Sequence, residues 1–207
     1  MKITRSFDFE VRAENNEQYG DYITGRAIVF DSPTDIGLFD EIIEKGALTD
    51  TDLRDVRFLV NHNTDLIPLA RSRNNNENST MQMSVDDEGM IIRANLDTEN
   101  NAEARALYSA TKRGDISGMS FMMTVDGEEW DDLEDEHPTR RIKRIGKVYE
   151  VSAVTFPAYE ATTLEARGNE EALESAKSAL ESAKAKAKRD KAIERITETL
   201  NKLGEQT

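Results

Sequence analysis

A mostly β, α+β domain followed by one long helix is the fold class that this sequence predicts. Three observations point to it. Short runs rich in β-branched and aromatic residues recur through residues 1–164, bounded by turn formers such as "DSPTDIG" and "DDEG". One segment in their midst has helical spacing and a capping residue at each end. From about Glu165 the composition turns to Ala, Glu and Lys, with no proline.

In chain order, the strand signals are "SFDFEVRA" (6–13), "YITGRAIVF" (22–30), "VRFLVN" (56–61), "MIIRANL" (90–96), "SFMMTV" (120–125) and "RIKRIGKVYEVSAVTF" (141–156). Each is short and suited to a pleated, half-buried surface. A short helix is expected near "EIIEKGALTDT", and "RSRNNNENST" (71–80) reads as a polar, mobile loop. "TENNAEARALYSATKRG" (98–114) is the helix of the β region. Asn or Thr can cap its start, Ala, Leu and Tyr recur at helical spacing, and Gly114 stops it.

The remaining segment, 165–207, reads as a charged helical arm about 50 Å long at about 1.5 Å per residue. Ile193, Ile196, Leu200 and Leu203 form an a/d-type stripe, and Leu173 and Leu180 a second one. Nine basic and nine acidic residues make this arm neutral, so the net charge of −14 belongs entirely to residues 1–164. So few large apolar residues bury little surface alone, which suits an arm that binds a partner, or else a partly disordered appendage.

The chain has 207 residues, no cysteine and two histidines. Disulfides, thiol nucleophiles and thiolate metal sites are therefore excluded, and a dedicated zinc site is disfavoured. No apolar run approaches the roughly 18–20 residues of a membrane span, and "MKITRSFDFEV" lacks the apolar centre of a signal peptide. A strongly acidic chain is repelled by phosphate backbones, so nucleic acid is a poor partner. The basic cluster "RRIKR" (140–144) follows the acidic run "DGEEWDDLEDE" and is expected to pair with carboxylates.

One hydroxyl stands out at the head of an apolar strand, Ser120 in "RGDISGMSFMMTV" (113–125). A hydroxyl nucleophile needs a base, and the base a group that fixes its tautomer. His62, in "RFLVNHNTD", falls by alternation on the face of Val56, Phe58 and Val60, where the strand meets a polar loop. A structural histidine bonded to a turn carbonyl is the plainer reading of it. His137, in "DEHPTR", lies in an acidic, proline-containing loop, a poor setting for a base. Glu150, in "GKVYEVSAVTFPAYE", is a carboxylate inside a strongly β stretch, costly to bury unless paired. Gly118, two residues before Ser120, lets a substrate backbone approach, and local amides could hold an oxyanion. Ser117 is the rival hydroxyl. Ser120 is preferred because it opens the apolar strand. The pattern is not the Gly-x-Ser-x-Gly elbow, since position 122 is Met.

Five ordered stretches carry a resemblance: "GRAIVFDSPTD", "FDEIIEKGAL", "VRFLVNHN", "DISGMSFMM" and "YEVSAVTFPAY". From about Tyr22 to Ala161 the chain resembles the prohead (capsid maturation) serine proteases of tailed bacteriophages with HK97-type capsids. The resemblance implies a fold similar to the herpesvirus assembly proteases, a β-barrel flanked by helices. It implies His62 as base, Ser120 as nucleophile and Glu150 as orienter, with no cofactor and no metal. It implies action on the major capsid protein and its scaffold segment inside the assembling procapsid, in the host cytoplasm. Residues 1–164 would be the protease domain and 165–207 the arm, with "AKAKAKRDK" an accessible place for self-cleavage and the helix a possible means of self-association. The rival readings are a non-catalytic internal scaffold of the procapsid and a β-barrel binding module with a coiled-coil tail.

Overall fold

The computed structural model describes residues 2–7, 11–155 and 170–204. The boundary at 164/165, Phe156 at the end of the last predicted strand, and residues 8–10 of the first one lie outside the described residues. So do the side chains of Leu173 and Leu203.

Among the described residues, eleven strands and two helices follow in the order β1 (Lys2–Phe7), β2 (Arg12–Asn16), β3 (Gly20–Val29), β4 (Thr34–Asp35), β5 (Asp40–Ile43), β6 (Asp55–Val60), β7 (Ala70–Arg73), β8 (Met81–Val85), β9 (Gly89–Asn95), α1 (Ala102–Arg113), β10 (Gly118–Asp131), β11 (Thr139–Val154) and α2 (Glu170–Gly204). The larger sheet runs β1-β10-β11-β5-β4, with β6 also on β11 and β7 on β6, and the smaller runs β2-β3-β9-β8. The two share one apolar core, in which Ile23, Ile28, Met90 and Ile92 of the smaller sheet meet Phe58, Phe121, Met123 and Val151 of the larger.

The mostly β, α+β class with a C-terminal helix is what the chain adopts. The closed barrel of the herpesvirus type is not formed, because no ladder among the described residues joins the two sheets. The cause lies in β11, which pairs in parallel with β5 through Thr139–Ile142 at its start and with β6 through Glu150–Ala153 near its end. The larger sheet therefore branches along one long strand instead of returning on itself.

Helix α1 begins where expected. Asn101 accepts hydrogen bonds from the backbone of Glu103 (2.9 Å) and Ala104 (3.3 Å). It ends at Gly114, whose φ of 81° is the left-handed conformation that suits a glycine cap. Ala104, Leu107 and Thr111 are its buried face.

Two expectations need correction. The segment near "EIIEKGALTDT" forms β5 followed by turns, not a helix, because Glu41, Ile42 and Ile43 pair with Arg140, Arg141 and Ile142 of β11. The stretch 71–80 is part of β7 and then a turn knitted by its own side chains. Asn75 exchanges two hydrogen bonds of 2.8 Å with Met83, and Ser79 accepts from the Arg73 amide at 2.8 Å. Asn74 and Asn75 take φ near +50°, which asparagine tolerates better than most residues. Polar composition here marks a built turn, since amide side chains replace backbone partners.

The "RRIKR" cluster pairs as expected. Arg140 binds Glu41 and Glu128, Arg141 binds Asp131, and Lys143 binds Glu44 and Glu129. Helix α2 packs on the β10–β11 hairpin. Ala176 and Leu180 meet Ile36, Phe39 and Trp130, and Lys191 reaches Glu134 at 2.6 Å. Its later stripe, Ile193, Ile196 and Leu200, is exposed.

Candidate active site

Strand β11 is the platform. Glu150 and Ser152 are two residues apart on it and so project from one face. On one flank β10 pairs antiparallel, with Ser120 opposite Ser152 and Met122 opposite Glu150. Cross-strand partners share a face, so Ser120 joins Glu150 and Ser152 there. On the other flank β6 pairs in parallel and ends at Val60, opposite Ala153.

His62 reaches that same face by a turn. Asn61 and His62 follow β6 with φ of 50° and 58°, two successive left-handed residues that are not glycine. Each such residue costs about 1–2 kcal/mol, and bonds to β11 hold the turn. The Asn61 amide donates to the Ala153 carbonyl (2.9 Å), and the Asn61 side chain exchanges hydrogen bonds with Thr155 at 3.0 and 2.9 Å. The His62 amide donates to Ser152 Oγ at 3.1 Å. Strand alternation had set His62 beside Val56 and Phe58. Those two side chains are buried in the core, and the left-handed turn carries the imidazole to the opposite face, over Glu150.

The imidazole and carboxylate meet at 2.6 Å, His62 Nδ1 to Glu150 Oε1. The other carboxylate oxygen accepts a 2.5 Å hydrogen bond from Ser152 Oγ. Glu150 is 3 % exposed, so both of its oxygens are satisfied within the protein. With Nδ1–H donating to Glu150, Nε2 carries the free lone pair. Nε2 is buried and has no hydrogen-bond partner. An imidazole anchored at Nδ1 with its second nitrogen bare is equipped to take a proton.

Ser120 is fully buried, and its hydroxyl donates to the Arg5 carbonyl of β1 at 2.8 Å. It does not bond to His62. The rival, Ser117, is exposed in the loop between α1 and β10. An apolar groove of about 380 Å³ borders the site, lined by Leu59, Leu66, Ile67, Leu107 and Ile116 among others. Val60 and Asn63, which flank the His62 turn, also line it.

His137 is remote from this constellation in the fold, in the β10–β11 loop. Its Nε2 lies 3.3 Å from Asp40 and 3.7 Å from Asp35. These three could share a cation, but two of them, Asp35 and His137, are exposed, and the set reads as an ion-pair cluster.

Sequence reasoning singled out His62, Ser120 and Glu150, and it is the fold that places them on one sheet face. It missed Ser152, which bonds both Glu150 and the His62 amide, and Asn61, which holds the turn. The signal for Ser152 was in hand, since any residue two places from a buried strand carboxylate shares its face. Arg5 gave no such signal, because a side chain's partner 36 residues away is not written in local pattern.

Residues 7–177 match the family of caudovirus prohead serine proteases. Among solved structures, the bacteriophage T4 capsid assembly protease is similar, at 12 % identity and a TM-score of 0.37, over 74 % of this chain and 99 % of that one. No curated protein matches the chain.

Proposed function

The chain belongs to the caudovirus prohead serine proteases, and from that premise we propose that His62, Ser120 and Glu150 are its base, nucleophile and orienter in cutting capsid-protein segments. The observation that carries this assignment is the His62–Glu150 pair with its unpartnered Nε2.

In the proposed cycle, His62 Nε2 takes the Ser120 proton as Oγ attacks a peptide carbonyl carbon. Backbone amides near Ser120 hold the oxyanion. His62 then gives the proton to the leaving amine, and water releases the acyl group by the same relay. Glu150 keeps Nδ1 protonated and stabilises the imidazolium. Ser152 holds Glu150 and the backbone of His62 at once. The reaction uses no cofactor. The apolar groove beside the His62 turn takes a substrate side chain.

Residues 1–164 form the catalytic part in this reading, a relative of the herpesvirus assembly proteases with an opened barrel. Residues 165–207 are the arm that brings it to the shell and scaffold segment of the major capsid protein within the procapsid, in the host cytoplasm. No helix among the described residues is long and apolar enough to cross a membrane.

The test is co-expression with the major capsid protein, comparing the parent with Ser120→Ala. Intact masses of both chains are read. Shortening with the parent alone supports the assignment. Equal shortening with Ser120→Ala removes Ser120 from the role. Shells that form only with this chain, and without any cutting, favour the internal scaffold.

A further inference from the structure

The outer edge of β10 is occupied by the chain's own N-terminal strand. β1 pairs antiparallel with β10 from Lys2 opposite Thr124 to Phe7 opposite Met119, with Ser6 opposite Ser120. β10 has β11 on its other side, so without β1 its outer edge is a row of unpaired backbone groups. Extended peptides bind such edges by adding a strand.

The register singles out one peptide bond. Ser120 Oγ donates to the carbonyl of Arg5 at 2.8 Å, so the hydroxyl meets the bond between Arg5 and Ser6. The residues before that bond, Lys2 to Thr4, run along Met122–Thr124. Arg5 itself is 5 % exposed, and its guanidinium makes a paired contact with the buried Glu41, Nη2 to Oε2 at 2.7 Å. Two residues earlier, Ile3 is buried in the core. Alternate side chains are thus read by pockets while the backbone pairs with an edge. At the same time Ser120 spends its proton on a carbonyl oxygen and His62 Nε2 has no partner, so the two reacting groups are disengaged.

We infer that β1 is an internal stand-in for the substrate strand: a peptide substrate adds to β10 in its place, presenting a basic side chain to Glu41 and the carbonyl of that residue to Ser120. This rests on Ser120 being the nucleophile. The consequence is an enzyme held closed by its own first residues. It opens when a competing extended segment, or release of Arg5, frees the edge. The preferred target is an extended segment with Arg or Lys before the cut bond.

The experiment measures the rate at which a fluorophosphonate labels Ser120 in the full chain, with the labelled residue identified by mass spectrometry. The parent is compared with Arg5→Ala and the conservative Arg5→Lys, each checked for folding by thermal melting. Should Arg5→Ala melt early because Glu41 is left short of a partner, Arg5→Ala/Glu41→Gln removes that charge as well. Arg5→Ala or the double variant is expected to label at least tenfold faster than the parent, and Arg5→Lys within about twofold of it. The end-blocked hexapeptide Lys-Ile-Thr-Arg-Ser-Phe should slow labelling of Arg5→Ala, while the same peptide with Glu in place of Arg should not. Equal, measurable labelling of folded parent and variant overturns the internal strand and leaves the nucleophile standing. Equal protection by both peptides overturns the reading by Glu41. Labelling in no variant overturns the nucleophile assignment together with this inference.

Discussion

His62 Nδ1 lies 2.6 Å from Glu150 Oε1, while Nε2 of the same ring is buried without a partner. The pair divides one imidazole into a fixed end and a free end. The fixed end is anchored twice, since Ser152 bonds to the second carboxylate oxygen and to the His62 amide. A buried polar atom left alone costs about 1–3 kcal/mol, and at Nε2 that cost leaves a lone pair available to take a proton.

Glu150→Gln keeps the shape of the side chain and removes its charge. The amide can still accept from Nδ1–H through its oxygen, but it stabilises an imidazolium poorly and can turn its NH2 toward the ring. Turnover of a capsid-derived peptide is expected to fall about a hundred- to ten-thousand-fold, less than for Ser120→Ala. A single-turnover rate equal to the parent's would remove Glu150 from the role.

Ser152→Ala deletes the hydroxyl that serves Glu150 and the His62 amide together. Both lose a partner inside the protein. Stability should fall by about 1–3 kcal/mol. The rate should fall about tenfold, in kcat more than in KM, because the ring is less well held. Ser152→Thr keeps the hydroxyl and should recover part of the rate. Urea unfolding and steady-state kinetics on the same preparations separate the two effects.

Gly89→Ala tests the smaller sheet alone. Gly89 has φ of 145°, and a Cβ there would lie 1.9 Å from the Ile28 carbonyl oxygen. Neither the conformation nor the space admits a methyl group, and the obstacle is backbone. A loss of about 2–4 kcal/mol is expected, the range of strongly disruptive substitutions. A melting temperature within a degree of the parent's would contradict it.

How much of this was legible in sequence differs by element. The strands rich in β-branched residues and helix α1, with Asn101 and Gly114 at its ends, follow from short-range pattern. β4, β5, β7 and β8 did not stand out. Their residues, such as "DEII" and "ARSR", are extended because β11 and β6 offer them ladders, a tertiary cause. His62 was singled out for its chemistry but set on the wrong face, since period-2 alternation cannot anticipate two left-handed residues after Val60. The motif order gave Ser120, His62 and Glu150. That Ser120 faces the chain's own β1 follows only from strand pairing across more than 110 residues, which no local pattern encodes.

The buried ion cluster around Glu41 sets an acid limit on stability. The charged groups facing Glu41 are Arg5 from β1 and Arg140 from β11, and Arg140 is shared with Glu128 of β10. Burial by itself pushes the Glu41 carboxyl up, but the Arg5 and Arg140 guanidiniums together outweigh it and hold the group below its ordinary 4.5. A carboxylate with a lowered folded value contributes stability that is fully present above its unfolded value. That contribution is lost as pH falls through the folded value. The affected window is therefore below about pH 4.5, where protonation leaves two buried guanidiniums facing a neutral acid. Glu41→Gln should cost about 3–5 kcal/mol at pH 7, as for a buried pair with one partner removed. It should also flatten the melting temperature against pH in that window, since the titrating group is gone. Exposed carboxylates contribute to the slope in both proteins and cancel in the comparison. Parallel melting curves for parent and Glu41→Gln from pH 6 down to about pH 3 would show that Glu41 does not set the limit.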